Sequence, residues 1–409
     1  MTYQDDAVVI DNDVFNLIKE TFNKELETNN PKYRNNLFEK SKDYFVKTED
    51  GSYSIKSRKI NDKVETLHTK SGAISESFKK FIDPLKFDYS NDIAVLDICA
   101  GLGYNSSAAI FDFLQNTDNS TNLKVDMVEI SPETLAAGLI VPSPIAEHDI
   151  VKKAIENELI NEGFASLHLE NTKIPNNIDI NVFIEDARVS VQKLKDNTYD
   201  AIFLDPFSQT MAPELFTSDL FKEFMRLIKY DGIVATYTSS APVRGGFFEA
   251  GFHVGEGPVF GRFQGGTIAS PNPDSLEKSL NINDERRIAL SDVGVPFRDS
   301  TLSKSSDEIN KIRADERHAK RHISKISSAV KTPIFLGENI EDAPLKRRVE
   351  RNLAKVNIPG VQSDEAYYII EPQKDYTIES NNNHNSRLRV YEMDKRLQEV
   401  IDGKFTNGN

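Results

Sequence analysis

The stretch IAVLDICAGLGYNS, residues 93–106, decides how the middle of this 409-residue chain folds. A continuous apolar run that ends at Asp97 predicts a buried strand, and a helical pattern begins near Asn105. Between them lie Gly101 and Gly103, and glycine lets a tight turn approach a ligand closely because no Cβ is in the way. The stretch therefore predicts a strand, a ligand-binding loop and a helix, in that order.

Four further apolar runs follow, and most of them precede a helical pattern. They are LKVDMVEI (123–130), INVFIED (180–186), YDAIFLD (199–205) and GIVATYT (232–238). Alternation of strands and helices is typical of βαβ units, which build a parallel sheet. The runs are too continuously apolar for one face to meet water, so helices should cover both faces. We predict an α/β, Rossmann-like fold with a mostly parallel sheet.

The loop also indicates a class of cofactor. A dinucleotide site needs the pattern GxGxxG, but Ser106 stands in place of the third glycine. Asp97 would repel a pyrophosphate and favour a cation, so the loop favours S-adenosylmethionine, which carries a sulfonium and an ammonium group. Glu129 ends the second strand, where it can accept both ribose hydroxyls, and Asp186 can accept from an adenine amino group. Each acid alone is as readily a surface or capping group, so the prediction depends on their order along successive strands.

A second polar site follows the fourth strand, at Asp205-Pro206-Phe207. This is where an open α/β sheet places its second ligand. Asp205 can accept a hydrogen bond or a proton from an amine, Pro206 fixes the backbone, and Phe207 offers a ring face. Methylation of an amine needs an oriented nitrogen and a place for a proton, which these residues can provide. The alternative is that Asp205 only caps the helix near PELFTSDLF.

Two segments resemble the methyltransferase domain of the MnmC-like tRNA wobble-uridine enzymes, and the stand-alone archaeal type is the most similar. They are DICAGLGYNS (97–106) and the run from LDPFSQTM to GRFQGGTIAS (204–270). The resemblance implies a class I S-adenosylmethionine-dependent N-methyltransferase acting on the aminomethyl group of wobble uridine in tRNA, in 5-methylaminomethyl-2-thiouridine biosynthesis. It implies no metal, and no second cofactor loop supports FAD or an oxidase domain.

The resemblance assigns roles to residues of this chain. Cys99 and Ala100 depart from it, because many methyltransferases have Gly and Cys there. Arg244 and Arg262 would bind RNA phosphate, or each would form an ion pair with a carboxylate. The predicted catalytic residues are Asp205, Pro206 and Phe207; the cofactor-binding residues are Asp97, Ala100, Gly101, Gly103, Asn105, Glu129, Asp186 and Ala187; the substrate-binding residues are Ser240, Pro242, Arg244 and Arg262.

Three other functions stay open. A methyltransferase for a small-molecule or protein amine would use the same Asp205 chemistry. An aminopropyltransferase of the spermidine-synthase type has a similar YDAIFLD segment, although its loop is richer in Gly and Asp and it lacks APVR. A binding protein with a degenerate cofactor fold would not need the acids in place.

Composition limits the partners and the location of the chain. A single cysteine, Cys99, excludes an intramolecular disulfide and a cysteine zinc cluster, which fits a reducing, cytoplasmic location. No run reaches the roughly 20 apolar residues of a membrane-spanning helix. The net charge of -14 argues against a global basic field, although a local basic face for tRNA remains possible. The oligomeric state is not predicted.

The sequence suggests three regions. Residues 1–88 form a helical and β-hairpin lobe, with a turn at Asn61-Asp62 and a helix that stops before Pro84. Residues 89–275 form the methyltransferase domain. Residues 276–409 form a charged helical extension with a disordered tail. This extension contains a cluster of four basic residues, Lys346, Arg347, Arg348 and Arg351. The cluster forms a solvated helix face, or it contacts the tRNA backbone.

Overall fold

A computed structural model gives the fold and describes residues 9–59, 64–118, 120–261, 265–374 and 386–405. The chain divides into two compact units. The first comprises Met1–Leu215, Arg226–Tyr237 and Gly257–Gly266; the second comprises Phe216–Met225, Thr238–Glu256 and Thr267–Asn409. The three regions suggested by the sequence, with boundaries near residues 88 and 275, stay a prediction.

The first unit holds a five-stranded parallel sheet and a small hairpin. Its strands are β1 (Phe45–Lys47), β2 (Tyr53–Ile55), β3 (Ile93–Ile98), β4 (Leu123–Glu129), β5 (Ile178–Ile184), β6 (Tyr199–Leu204) and β7 (Ile228–Thr236). Its helices are α1 (Asn12–Thr28), α2 (Lys32–Asn35), α3 (Leu37–Ser41), α4 (Ala73–Ser77), α5 (Tyr104–Asn116), α6 (Pro132–Ile140), α7 (Glu147–Asn161) and α8 (Ala187–Lys193).

The parallel strands are ordered β5-β4-β3-β6-β7. The chain runs from β3 outward to β5 and then returns to the other side of β3 to form β6. Such a reversal opens a crevice at the carboxyl ends of the two central strands, where open α/β sheets bind ligands. Every residue of β3 is buried, as its continuous apolar run predicts. The predicted α/β fold class is confirmed.

The loop between β3 and α5 is fixed by close packing. Gly103 has φ +85° and directly precedes α5, and a Cβ there would lie 2.7 Å from Cγ1 of Val151 on α7. Because that distance is below any ordinary contact, a side chain at Gly103 would push α5 away from α7. The glycine therefore sets how closely the helix that follows the loop can pack.

The N-terminal helices join the same unit through an apolar face and a buried charge cluster. Helix α1 buries Val14, Ile18 and Phe22, which lie on one face of the helix. Arg34 donates to Glu25 and, at 2.6 Å, to Glu156 of α7. Removing one partner of such a buried cluster leaves an uncompensated charge, so this segment is tied to the sheet-bearing part of the unit.

The hairpin region differs in part from the prediction. Strands β1 and β2 pair antiparallel around Asp50 and Gly51, a turn that the sequence prediction missed. The predicted pairing after β2 is present as an antiparallel bridge from Lys56 to Thr66. The predicted turn at Asn61-Asp62 lies outside the described residues. Helix α4 continues as a π-helical turn, Phe78–Ile82, and stops before Pro84 as predicted.

The second unit is mostly helical and contains one antiparallel strand pair. Its strands are β8 (His253–Glu256) and β9 (Thr267–Ser270). Its helices are α9 (Ser218–Leu227, whose last two residues belong to the first unit), α10 (Ala241–Ala250), α11 (Ile282–Leu290), α12 (Ser306–Lys320), α13 (Ala343–Leu353), α14 (Asp364–Ile370) and α15 (Ser386–Ile401). The predicted disordered tail falls on residues 406–409, outside the described residues.

The core of the second unit centres on aromatic rings. Phe221 of α9 and Phe247 of α10 stack with centroids 3.8 Å apart, and Phe252 meets Phe247 edge-on. Gly246 allows this contact, because a Cβ there would lie 3.1 Å from the Phe221 ring. Across both units, no helix in the described ranges is long and apolar enough to cross a membrane.

Candidate active site

Three acidic residues meet at the carboxyl edge of the parallel sheet. Asp97 lies beside Met127 of β4 and Phe203 of β6, while Glu129 ends β4 and Asp205 directly follows β6. The backbone N–H of Asp205 donates to the carbonyl of Ile98, 3.3 Å away. Residues predicted from three separate strands are therefore gathered at one edge, next to the loop after β3.

Asp97 is fully buried and keeps one oxygen without a protein partner. Its Oδ2 accepts a hydrogen bond from the Ser106 hydroxyl at 2.6 Å, and its Oδ1 has no hydrogen-bond donor. Burial raises the pKa of Asp97 to about 6, although the Ser106 contacts oppose the rise. A buried acceptor without a donor is costly, so this oxygen fits a ligand that brings a donor or a positive charge.

Glu129 reaches back to the loop after β3. Its Oε2 accepts from the Gly101 N–H at 3.2 Å, and its Oε1 accepts from the Ser131 N–H at 3.1 Å. Burial raises its pKa to about 7 against these hydrogen bonds. The carboxylate thus fixes the loop backbone, and its remaining lone pairs are the acceptors that a ribose would require.

The loop carries backbone strain at a residue with a side chain. Cys99 has φ +64°, in the left-handed region, and Gly101 follows with φ +56°. Cys99 and the buried Ala100 both donate their N–H groups to the Val128 carbonyl, at 2.9 and 3.1 Å. The departure from a glycine-rich pattern at Cys99 is therefore a strained position held in place by the neighbouring strand.

Asn105 of helix α5 connects the loop after β3 to Asp205 of the predicted Asp205-Pro206-Phe207 site. Its Nδ2 donates to Oδ2 of Asp205 at 3.0 Å, and its own Oδ1 is buried without a donor. Burial raises the pKa of Asp205 to about 8; the charge of Glu76 adds to the rise, and the Asn105 hydrogen bond opposes it. Asp205 is therefore mostly protonated at neutral pH in the protein alone, and a nearby cation would favour its charged form.

A pocket of about 350 Å³ opens beside Asp205. The three residues of the predicted catalytic triplet line it together: Asp205, Pro206 and Phe207. The other lining residues come from the segment after β2, from α4, and from the chain after β6 and β7; they are Val64, Glu65, Thr66, Leu67, Glu76, Ser208 and Tyr237. The carboxylate of Glu65 accepts from the N–H and hydroxyl of Ser208, at 2.9 and 2.5 Å, which ties the two walls together.

The sequence prediction missed a buried ion pair, Glu76–Lys80, whose glutamate lines this pocket. Glu76 lines it and forms a buried ion pair with Lys80, whose Nζ lies 2.5 Å from Oε1 of Glu76. The Thr69 N–H donates to Oε2 of Glu76 at 2.9 Å. The signal was present in the sequence, because AISESFKKFI (73–82) places this glutamate and this lysine four residues apart, a spacing that pairs side chains on one face of a helix.

Asp186 lies at the start of α8 and is engaged locally. Its carboxylate accepts from the Arg188 N–H at 2.9 Å and pairs with the Arg188 guanidinium at 2.8 Å. Ala187, the first residue of α8, is buried. The capping contact was the alternative to an adenine contact in the sequence prediction, and the adenine role of both residues stays a prediction.

The predicted substrate residues lie in the second unit, apart from Arg262, which lies outside the described residues. Ser240 and Pro242 begin α10, where Pro242 occupies the first turn. Arg244 is 1% exposed; it pairs with Asp284 at 2.5 Å and donates to the Thr267 hydroxyl at 2.9 Å. Pairing with a carboxylate, one of the two alternatives for Arg244, is the arrangement found.

The basic cluster occupies an exposed helix face. Val349 and Leu353 of α13 are buried, while all four basic side chains of the cluster are exposed. In the described part of the chain, none of the four is in an ion pair with a carboxylate. Because Arg347 and Arg351 lie four residues apart, their like charges repel mildly on this face.

The site fits a cationic cofactor that bears a ribose. Two buried acceptors lack donors, Oδ1 of Asp97 and Oδ1 of Asn105, and both lie at the loop that Glu129 fixes. A sulfonium and an ammonium group would supply the charge and the donors that these atoms lack. Within the described ranges, no group of three or more His, Cys, Asp or Glu side chains is arranged to hold a metal ion.

Comparison with known proteins gives the family. Residues 147–272 match the family described as S-adenosyl-L-methionine-dependent methyltransferase. An uncharacterised protein of Methanocaldococcus jannaschii is 34% identical over 312 residues, which cover 76% of this chain and 83% of that protein. The tRNA 5-methylaminomethyl-2-thiouridine biosynthesis bifunctional protein MnmC of Ralstonia nicotianae is 41% identical over 71 residues, 17% of this chain and 11% of that protein. The chain belongs to the MnmC-like family of S-adenosylmethionine-dependent methyltransferases.

A solved structure agrees on the fold. The crystal structure of MnmC2 from Aquifex aeolicus matches the MnmC-like chain with a TM-score of 0.54 at 23% identity, and the match covers 75% of this chain and 99% of that one. The sequence matches confirm the predicted family and enzyme class. The predicted absence of FAD stays a prediction, as do the roles of the individual site residues.

Proposed function

We propose that this MnmC-like methyltransferase methylates the aminomethyl nitrogen of wobble uridine in tRNA, in 5-methylaminomethyl-2-thiouridine biosynthesis. The observation that carries the proposal is the Asn105–Asp205 hydrogen bond, which joins the cofactor loop to the pocket that Asp205 lines. An electrophile held at the loop and an amine held in the pocket would thus be adjacent. Relatives named for this tRNA modification support the choice of acceptor.

Each residue has a role that its environment can support. When bound, S-adenosylmethionine supplies a methyl group on a positively charged sulfur. Asp97 and Asn105 would hold its ammonium group through their unpartnered oxygens, and Glu129 would accept hydrogen bonds from its ribose hydroxyls. Asp205 takes a proton from the acceptor ammonium, so that the nitrogen lone pair is free. Phe207 and Tyr237 give the pocket aromatic walls for a planar base.

The partner proposed here is tRNA, and positive charge is concentrated where a polyanion can reach it. The chain carries a net charge of -14, yet the segment 320–357 contains nine Lys and Arg against four Asp and Glu. Helix α13, in this segment, presents its basic cluster to solvent. An acidic protein that binds tRNA needs such a local excess to neutralise phosphates. A cytoplasmic location is part of the same proposal.

The deciding experiment is a labelling assay. The purified chain is incubated with methyl-labelled S-adenosylmethionine and under-modified bulk tRNA, which is then digested to nucleosides for mass spectrometry. Label in a 5-methylaminomethyl uridine is the expected result. Cofactor binding without label in RNA would refute the tRNA acceptor and direct the search to small-molecule and protein amines.

Two variants separate the proposed roles. Asp205→Ala should lower turnover far more than cofactor affinity, because Asp205 acts on the acceptor. Asp97→Ala should do the reverse. Equal loss of turnover and affinity in Asp205→Ala would contradict its role.

The tRNA surface is tested by salt dependence. Neutralising Arg347 and Arg351 together, as R347Q/R351Q, should reduce the slope of log affinity against log salt by about two, one per lost phosphate contact. The matched control neutralises Lys24 and Lys40, which are exposed on α1 and α3 of the first unit. Equal slopes in both double variants would exclude α13 from the tRNA contact.

A further inference from the structure

The pocket beside Asp205 contains a second carboxylate whose charge is fixed by its surroundings. Glu76 is 6% exposed, and both of its oxygens have donors: Lys80 at 2.5 Å and the Thr69 N–H at 2.9 Å. These donors hold the pKa of Glu76 below its usual range although burial opposes them. Glu76 therefore remains charged at any pH at which the enzyme would work.

Asp205 has the opposite environment. Only the neutral amide of Asn105 is hydrogen-bonded to its carboxylate in the described structure, and no lysine or arginine is paired with it. Glu76 lines the same pocket and disfavours the charged form of Asp205, whereas Lys80 favours it. The other ionisable groups around Asp205 are Asp97 on β3 and Cys99 in the loop, and Glu65 and Tyr237 share the pocket.

We propose that Glu76 is a positioning residue for methyl transfer. Lys80 and Thr69 hold the Glu76 carboxylate in its charged form, and this negative charge makes Asp205 a stronger base toward the ammonium group that is to be methylated. This inference rests on the proposed function. In the step concerned, one N–H bond of the ammonium breaks, one O–H bond forms on Asp205, and the nitrogen keeps the electron pair. A carboxyl group whose pKa lies near the working pH is the most effective group for this proton transfer.

The arrangement also explains why the lysine is retained inside the helix. A lone Glu76 carboxylate would be uncompensated in a buried position, which strongly destabilises a fold. With Lys80 present the pair is nearly neutral overall. Its two charges nevertheless act on Asp205 with opposite signs and unequal strength, and the glutamate has the larger effect.

The test is a carboxyl titration that needs neither cofactor nor acceptor. The full chain is labelled with ¹³C at aspartate carboxyl carbons, and the resonance lost in Asp205→Asn is followed against pH. In the wild type this resonance should titrate near pH 8, well above ordinary aspartates. Glu76→Gln should lower the midpoint by about one pH unit, and Lys80→Met should raise it. The double variant E76Q/K80M should lie between Glu76→Gln and the wild type.

This order of midpoints makes the inference refutable even if one variant unfolds. A midpoint that stays unchanged in folded Glu76→Gln, or that falls in Lys80→Met, would overturn it. The pH profile of methyl transfer gives the second readout, because its acidic limb should move with the carboxyl midpoint. A purely structural role would lower the rate at every pH without moving that limb. If the wild type transfers no methyl group to tRNA, the proposed function fails while the carboxyl titration still decides the role of Glu76.

Discussion

Asp205, whose pKa is raised in the folded chain, should make the stability of the cofactor-free protein fall as pH rises. The pKa of Asp205 is about 8 in the folded chain, against about 3.9 for an aspartate in an unfolded chain. Between those values the folded state holds one more proton than the unfolded state. Stability from this group is therefore complete below pH 4 and is lost progressively until pH passes 8.

Asp205→Asn isolates this contribution, because asparagine has nearly the shape of the protonated acid and does not titrate. Each pH unit removes up to about 1.4 kcal/mol from the wild type relative to this variant, and less as pH approaches 8, where Asp205 is half ionised in the folded chain. Allowing for screening at the pocket mouth, we expect a relative change of about 2 kcal/mol between pH 6 and pH 8.5. Asp97 and Glu129 titrate in both proteins, so their effects cancel in the comparison.

The assay is urea unfolding of both proteins at pH 6, 7, 8 and 8.5 without cofactor, followed by circular dichroism. The expected result is that Asp205→Asn gains stability relative to the wild type as pH rises. Parallel stability curves would refute the reasoning, since Asp205 would then ionise near its ordinary pKa. Saturating S-adenosylmethionine should reduce the difference, because a bound cation favours the charged carboxylate.

Three further predictions concern the loop and the second unit. Asp97→Asn should weaken S-adenosylmethionine binding by roughly 10- to 100-fold, the value of a lost charged hydrogen bond, and calorimetry against Asp205→Asn as control would detect it. Cys99→Gly should stabilise the chain by about 0.5–1 kcal/mol in urea unfolding, because glycine relieves the left-handed strain at φ +64°; a loss above 1 kcal/mol would mean that thiol packing dominates. Arg244→Met should cost about 3 kcal/mol, because Asp284 loses its closest ion-pair partner and keeps only Asn281 and the more distant Arg287, with partial recovery in R244M/D284N and unchanged cofactor affinity. A selective loss of tRNA affinity without destabilisation would instead assign Arg244 to the substrate.

Local pattern was sufficient to predict the sheet and one side of the site. A continuous apolar run requires burial on both faces, and an acid at its end requires a position at the sheet edge. These rules placed Asp97, Glu129 and Asp205 at the ends of three strands, β3, β4 and β6, which the structure brings to one edge. The small hairpin β1–β2 was missed, because strands of three residues carry too little alternation to be recognised.

Two other residues, Arg244 and Asp186, could not be assigned a partner from spacing alone. Arg244 finds Asp284, forty residues on, and nothing near SSAPVR indicates that carboxylate. Asp186 looks like a cofactor acid from its place after β5, yet its nearest donors belong to Arg188, two residues away. The same sequence position permits a ligand contact or a cap, and only the donors that surround the carboxylate distinguish them.

The sequence by itself determined the order of strands and helices, the loop with its two glycines, and the acids at the strand ends. These features follow from burial, chain direction and local backbone conformation, all of which act over a few residues. The tertiary structure alone decided that Glu76, with its ion-pair partner Lys80, shares a pocket with Asp205, more than one hundred residues away in sequence. It also decided which acid is held charged and which is held neutral, because the pKa of a carboxyl group depends on the water it loses and on the charges that folding brings beside it.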